Sequence, residues 1–203
     1  RMLLALYLYL FRLNLFENLN HLIFIALMIL FIVSISSLVL KFTSLGIYIV
    51  PFTMLPIIIR VFFDSRTALF AHFITILIVS FMVDNPFTFI VLQIMAGMTA
   101  VSGLKDLTAR SQLTQTAFYI FISYSVVYLA TELVSEGAIN RIYFLPIVYF
   151  AISSALLLLA YVLIYIFEKI FNLISAITLV ELTNINSDLM IKFAENAPET
   201  FQN

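Results

Sequence analysis

The sequence feature that most constrains the fold is an uncharged apolar run of 24 residues, from Phe144 to Phe167. A helix needs about 20 apolar residues to cross the hydrocarbon core of a bilayer, so this run is long enough to span it with some tilt. No turn signal follows the run, because the chain continues through Glu168 and Lys169 into an amphipathic segment and then a polar tail. We therefore expect the last span to continue as an output helix that leaves the membrane.

The composition of the whole chain points to the same environment. Of the 203 residues, 64% are hydrophobic and 10% are charged, whereas soluble domains carry about 25% charged residues. The apolar runs are continuous rather than alternating, which favours helices over a membrane barrel. Cysteine is absent, which excludes disulfides, a thiol nucleophile and a thiolate metal site. A net charge of −1 argues against a nucleic-acid partner. The composition predicts an all-α polytopic protein whose first partner is the lipid bilayer.

Seven membrane segments are predicted, of which the first, Met2 to Phe11, is too short for a full span. The chain opens inside this apolar run, so we expect it to be a piece of a longer protein. Residues 1–170 are predicted to form the seven-helix transmembrane domain, and residues 171–203 a juxtamembrane coupling helix followed by the start of a cytoplasmic soluble domain. The five middle spans are Leu22–Leu40, Ser44–Phe63, Thr67–Val83, Phe87–Leu104 and Leu113–Val134.

Three prolines lie in these spans or directly before them. Pro51 and Pro56 remove two backbone donors from the span Ser44–Phe63, which predicts a kink and neighbours that satisfy the freed carbonyl groups. Pro86 follows Asp84 and Asn85 and is predicted to occupy the first position of the next helix. No second proline-interrupted span pairs with the first, which weakens a transporter interpretation.

The Lys and Arg residues of the short loops predict the orientation of the chain. With the C-terminus in the cytoplasm, most of the basic residues fall inside and few outside. The tail is therefore predicted to be cytoplasmic, with entry of the chain from the outer side. The inner residues are Arg12, Arg60, Arg66, Lys105, Arg110 and Lys169, and the outer residues are Arg1, Lys41 and Arg141.

Polar residues inside spans are the first candidates for function, because each costs free energy to place in lipid. Gln93 has two interpretations: an interhelical hydrogen bond that clamps the bundle, which is the commoner one, or a ligand contact. The small residues that follow it, the pairs Ala96/Ala100 and Thr99/Gly103, predict close helix packing. His72 lies alone in its span, and a hydrogen bond to a neighbour is commoner there than metal binding.

A second candidate group follows the outer half of the sixth span. Tyr124, Tyr128 and Glu132 recur every four residues, so they share one helix face that runs toward the outer end. The face is either an aromatic belt with a solvated Glu132 or, together with Gln93 and His72, a pocket for a small polar or cationic ligand. Both interpretations stay open.

Two charged loops at the inner surface are candidates for salt-bridged hinges. One holds Arg60, Asp64 and Arg66, and most basic loops of this kind are topology signals and headgroup contacts. The other hinge candidates are Lys105, Asp106 and Arg110. The chain contains no Ser/His/Asp set, Walker loop or paired carboxylates, so we assign it no catalytic residue, metal ligand or cofactor.

Four stretches of the chain resemble one family. They are DSRTALFAH from Asp64 to His72, LQIMAGMTAVSGLKDLTARSQ from Leu92 to Gln112, YIFEKIFNLISAITLVELT from Tyr165 to Thr183, and KFAENAPETFQ in the tail. Together they resemble bacterial seven-transmembrane receptors with an intracellular HD hydrolase domain, a family that includes membrane-bound cyclic di-AMP phosphodiesterases.

The resemblance implies a longer protein of the bacterial cytoplasmic membrane, with an external sensory domain, a cytoplasmic HD domain and a homodimer as a possible assembly. The HD domain would use a divalent metal pair to activate water and stabilise phosphoryl charge. The resemblance places that domain's first metal-ligand His at about Asn203, where this chain has a poor replacement for imidazole. Either the correspondence slips by a residue or so, or this member departs at a ligand.

Three functions follow as alternatives. The chain is a signal-transducing module that anchors and regulates the hydrolase, a small-solute transporter or channel-like bundle, or a purely structural anchor. The transporter needs a continuous polar path, and the uncharged middles of the second and last spans argue against one.

Overall fold

The computed structural model describes residues 19–104, 111–136 and 143–171, together with Ser175, Thr178, Leu179 and Thr183. All regular structure within these residues is helical, as the sequence predicts. Met2–Phe11, the predicted first span, lies outside the described residues, so the count of seven remains a prediction. The helices are α1 (Leu19–Phe42), α2 (Met54–Phe62), α3 (Ser65–Ser80), α4 (Pro86–Gly103), α5 (Ser111–Glu136), α6 (Leu145–Leu156) and α7 (Ala160–Phe171), with 3₁₀ turns at Ile47–Ile49 and Leu157–Leu159.

Four helical segments of the described chain are long and apolar enough to cross a membrane: α1, α4, α5 and the run Leu145–Phe171 that joins α6 to α7. The segments Ile47–Phe62 and Ser65–Ser80 are shorter apolar helices. At 1.5 Å per residue, the 16 residues of α3 cover about 24 Å, less than the roughly 30 Å of a bilayer core. The predicted spans are thus present as helices, but two of them are shorter than full spans.

Helix α2 is short and lies in the interior of the bundle. Seven of its nine residues are buried. It packs against α1, α3, α4 and α7. It forms the centre around which the longer helices are arranged.

The proline prediction is confirmed at Pro51. The 3₁₀ turn ends at Ile49 and α2 begins only at Met54, so the span is broken at this proline. The carbonyl oxygen of Val50 accepts a hydrogen bond from the Ser153 hydroxyl of α6 at 3.2 Å. The same oxygen also accepts from the Phe52 N–H at 2.9 Å, so a backbone donor and a side chain of a neighbouring helix together satisfy this carbonyl at the break.

The start of α4 also follows the sequence prediction. Pro86 is the first helical residue, and the Asn85 side chain caps the helix by accepting a hydrogen bond from the Thr88 amide at 3.3 Å. Proline suits this position because its missing N–H would have no partner within the helix.

The last span differs from its prediction at its inner end. Helix α7 is described to Phe171, but Ser175 lies outside any helix. The helix expected to run without interruption from Glu168 to Glu181 is therefore interrupted at Ser175, whose N–H donates to the Glu168 side chain.

The outer surface of the bundle is apolar. Large side chains such as Leu27, Phe87 and Val134 are half to almost fully exposed, while polar side chains such as Gln93 and His72 are fully buried. In water this distribution would be unfavourable, whereas a bilayer solvates the apolar face and leaves polar groups to pair inside. The fold is that of a multi-pass helical membrane protein.

Candidate functional site

Gln93 lies at the centre of the candidate site and connects three helices. Its side-chain Oε1 accepts a hydrogen bond from the Tyr124 hydroxyl of α5 at 2.6 Å. Its backbone carbonyl oxygen lies 2.9 Å from Nε2 of His72 on α3. Because a carbonyl oxygen can only accept, Nε2 of His72 is the donor. The hydrogen bonds of Gln93 therefore hold α3, α4 and α5 together in the interior of the bundle.

Gly97 is the residue that lets His72 reach this carbonyl. It follows Gln93 by one helical turn, and a Cβ atom on Gly97 would lie 2.3 Å from both Cδ2 and Nε2 of His72. Only a residue without a side chain leaves room for the imidazole against the backbone of α4. The pair Gly97 and His72 thus forms one close contact between α3 and α4.

The small residues of α4 pack against α5, as the sequence predicts. A Cβ atom on Gly103 would lie 2.7 Å from the Thr116 hydroxyl oxygen. The Thr99 hydroxyl donates to Ser123 at 3.1 Å. Close backbone approach and hydrogen bonds between small polar residues are the usual means by which helices associate in lipid.

Tyr124 extends the site to α6. Its ring stacks on Phe150 with centroids 4.9 Å apart and planes 5° apart. One turn further along α5, the Tyr128 ring meets the edge of Phe150 at 5.7 Å, and its hydroxyl donates to the Tyr143 carbonyl at 2.9 Å. The rings of both tyrosines therefore pack α5 against α6 through Phe150, while the Tyr128 hydroxyl binds the segment just before α6.

Glu132 lies a further turn toward the end of α5 and is only partly buried. The structure thus places Gln93, His72 and Tyr124 in one hydrogen-bonded group, Tyr128 beside it through Phe150, and Glu132 nearer the helix end. The five candidate residues follow a path from the interior toward the predicted outer surface.

Among the described residues, several buried polar atoms have no hydrogen-bond partner, and three of them lie on fully or almost fully buried side chains. They are Nδ1 of His72, the Thr53 hydroxyl oxygen and the Ser154 hydroxyl oxygen, on residues that are at most 5% exposed. A buried polar atom without a partner costs roughly 1–3 kcal/mol. The bundle therefore retains hydrogen-bonding capacity that a water molecule or a small polar ligand would satisfy.

Sequence reasoning missed Thr53, Ser153 and Ser154. Ser and Thr in spans commonly bond the carbonyl four residues earlier, as Thr75 does to Ala71 at 2.8 Å. Nothing in the local sequence indicates that Ser153 and Ser154 lack this bond. For Thr53 the nearby Pro51 is a signal, because the break removes the preceding helical turn.

Two open apolar grooves lie on the outside of the bundle, away from these residues. One, of ≈ 440 Å³, lies between α1 and α7 and includes Phe31 and Leu163. The other, of ≈ 470 Å³, lies between α4 and α5 and includes Val91 and Val127. Neither groove is lined by any of the five candidate residues.

At the first predicted hinge, Asp64 precedes α3 as its N-cap residue and accepts a hydrogen bond from the Thr67 hydroxyl. The Nε atom of Arg60 is buried without a partner. Ion pairing among Arg60, Asp64 and Arg66 remains a prediction. Lys105, Asp106 and Arg110 lie outside the described residues.

Within the described part of the chain, no group of three His, Cys, Asp or Glu side chains could hold a metal ion. The metal pair is expected in the HD domain of the family and remains a prediction. Asn203, the candidate ligand position, lies outside the described ranges.

The helices and the buried polar group define a multi-pass membrane protein whose interior is tied together by hydrogen bonds. Comparison with protein families matches residues 2–175 to the family described as 7TM receptor with intracellular HD hydrolase. The chain belongs to this family. No curated protein and no solved structure matches the chain.

Proposed function

We propose that the chain is a membrane sensory and signal-transducing domain that anchors and regulates a cytoplasmic HD-type phosphodiesterase acting on cyclic di-AMP. The observation that carries this proposal is the family match, which covers residues 2–175 and so includes every described span. In that family the membrane domain is joined to a hydrolase, so a change in the bundle has a catalytic domain to act on.

The proposed sensory site consists of Gln93, Tyr124, Tyr128, Glu132 and His72. Its support is that Gln93 joins three helices through two hydrogen bonds, while Nδ1 of His72 is left without a partner. A small polar or cationic ligand that enters past Glu132 and competes for the Gln93 amide would release Tyr124. Loss of that bond loosens α5 against α4, which is a change the rest of the bundle can transmit.

The wider assembly is part of the same proposal. Residues 171–203 would couple the bundle to the HD domain, and an external domain would precede the spans. The protein would lie in a bacterial cytoplasmic membrane with its C-terminus in the cytoplasm, with a homodimer as its possible assembly. The divalent metal pair would belong to the HD domain, and whether Asn203 replaces one of its ligands decides whether that hydrolase is active.

A purely structural anchor is the second candidate function. The stacked contact of Tyr124 with Phe150 and the complete burial of Gln93 favour it, because a tightly packed interior gives a fixed bundle. A transporter has no comparable support, and flux of small solutes into liposomes tests it directly.

Ligand-dependent hydrolysis of cyclic di-AMP by the full-length protein in liposomes separates sensor from anchor. Gln93→Ala and Glu132→Ala should change the response of the hydrolysis rate to added ligand if the bundle senses. Tyr119→Ala is the matched control, because Tyr119 lies on α5 but is 54% exposed on the outer face. An unchanged response in folded Gln93→Ala and Glu132→Ala proteins would favour the anchor.

A further inference from the structure

Glu168 makes an unusual set of contacts beyond the end of the last span. One oxygen of its carboxylate, Oε1, accepts a hydrogen bond from the Ser175 backbone N–H at 2.9 Å and another from the Thr178 hydroxyl at 2.6 Å. Both donors lie further along the chain than the described end of α7 at Phe171. Hydrogen bonds to a carboxylate are about twice as strong as those between neutral groups.

Ser175 and Thr178 are also bound to each other. The Ser175 hydroxyl oxygen accepts from the Thr178 N–H at 3.1 Å, which is the geometry of a helix N-cap. The Leu179 N–H donates to the Ser175 carbonyl at 3.1 Å, and Leu179 is helical. Ser175 therefore begins a new helical turn, and it is completely buried while doing so.

The new turn explains why a carboxylate lies at the end of α7. A negative charge in the last turn of a helix is disfavoured by the partial negative charge of that end. The start of the next helix carries partial positive charge, and the Glu168 carboxylate accepts from the N–H of its N-cap residue, Ser175. Glu168 thus acts on the segment that follows its own helix.

The arrangement excludes a continuous helix. In an uninterrupted α-helix the Ser175 N–H would donate to the Phe171 carbonyl four residues earlier. A single N–H cannot be aligned with both acceptors, and here it is directed to Glu168. The sequence pattern from Glu168 to Glu181 favours the continuous helix, so carboxylate and backbone compete for the same donor.

The span up to this point is fixed to the bundle. Phe167 and Phe171 of α7 both pack edge-on against Phe24 of α1, with ring centroids 5.3 Å and 5.1 Å away. Helix α7 is therefore held in place as far as Phe171.

We propose that Glu168 holds the output segment in a broken form and that its release lets α7 continue as one helix through Leu179. The membrane domain then has two output states that differ in the partner of one N–H. Regulation of a hydrolase by these two states rests on the proposed function. The existence of the two states is independent of that function.

Distances between spin labels test the proposal on the protein in lipid nanodiscs. The chain has no cysteine, so Val162→Cys and Leu179→Cys, which are 56% and 51% exposed, introduce the only labelling sites. In a continuous helix the 17 steps between them span about 26 Å at 1.5 Å per residue. We expect a shorter mean distance in the otherwise unchanged protein and an increase toward about 26 Å in Glu168→Ala.

Thr178→Val and Thr183→Val form a matched pair that retains the carboxylate. Thr178 bonds Glu168, whereas the Thr183 hydroxyl only donates to the Leu179 carbonyl of its own turn, at 2.8 Å. Thr178→Val should shift the distance in the same direction by a smaller amount, and Thr183→Val should not shift it. Equal distances in Glu168→Ala, Thr178→Val and the parent, or an equal shift in Thr183→Val, would overturn the proposal.

Failure of the proposed function would look different. In that case Glu168→Ala would lengthen the distance between the labels while the hydrolysis of cyclic di-AMP by the full-length protein stayed unchanged.

Discussion

Gly97 and His72 share a space that has no room for a further carbon atom. A Cβ on Gly97 would come within 2.3 Å of the imidazole, far inside van der Waals contact. Gly97→Ala should therefore lower the free energy of unfolding by about 1–3 kcal/mol, as forced overpacking does, although alanine is the better helix former. Thermal unfolding in detergent measures the loss.

The double variant Gly97→Ala/His72→Ala supplies the control for this interpretation. Removing the imidazole gives the new methyl group room, so the loss in the double variant should be smaller than the sum of the two single losses. Ser102→Ala, at an exposed position of the same helix, should leave stability nearly unchanged. Additive losses would show that the close contact is not the cause.

At the scale of the elements, α6 adds a hydrogen bond to the break at Pro51. Ser153 and Ser154 are adjacent and buried, but of the two only Ser153 donates to the Val50 carbonyl, which also accepts from the Phe52 N–H, while the Ser154 hydroxyl has no partner. Ser153→Ala should cost about 0.6 kcal/mol, a typical interhelical hydrogen bond in a membrane. Ser154→Ala should be neutral or stabilising, because it removes an unsatisfied polar group.

Chemical unfolding of the two serine variants under the same conditions measures this difference. The substitutions remove the same atom one residue apart, so loss of volume is matched between them. A larger loss for Ser154→Ala than for Ser153→Ala would contradict the assignment of the hydrogen bond.

At the scale of the whole molecule, the orientation in the bilayer follows from the basic loops and remains a prediction. The cysteine-free chain allows single-cysteine variants at Lys41, predicted outside, and Lys105, predicted inside. A membrane-impermeant maleimide applied to intact bacterial cells should label Lys41→Cys and not Lys105→Cys. Permeabilised cells provide the control, in which both should react, and the reverse pattern in intact cells would invert the topology.

The apolar patterns of the sequence determine the helices of this protein. Uncharged runs near 20 residues must become helices in lipid because no other local structure satisfies their backbone, and Pro51 and Pro86 mark a break and a start through their missing N–H groups. The four stretches that resemble the family also sufficed to recognise it, and the family match over residues 2–175 confirms that resemblance.

Only the tertiary structure decides which polar residues meet. Gln93, His72 and Tyr124 lie on three helices, and their hydrogen bonds depend on helix rotations that the span pattern does not encode. The same holds for α2, which the pattern places within a span but which lies at the centre of the bundle with seven of its nine residues buried.

At the end of the last span, the local pattern favours a continuous helix, yet Glu168 takes the Ser175 N–H and breaks it. The sequence by itself determines the apolar run up to Phe171, and the tertiary structure decides that Ser175 lies outside a helix, with its N–H on the Glu168 carboxylate. Helix propensity is a sum over many residues, whereas one carboxylate, such as that of Glu168, can accept a strong hydrogen bond from one backbone N–H, such as that of Ser175.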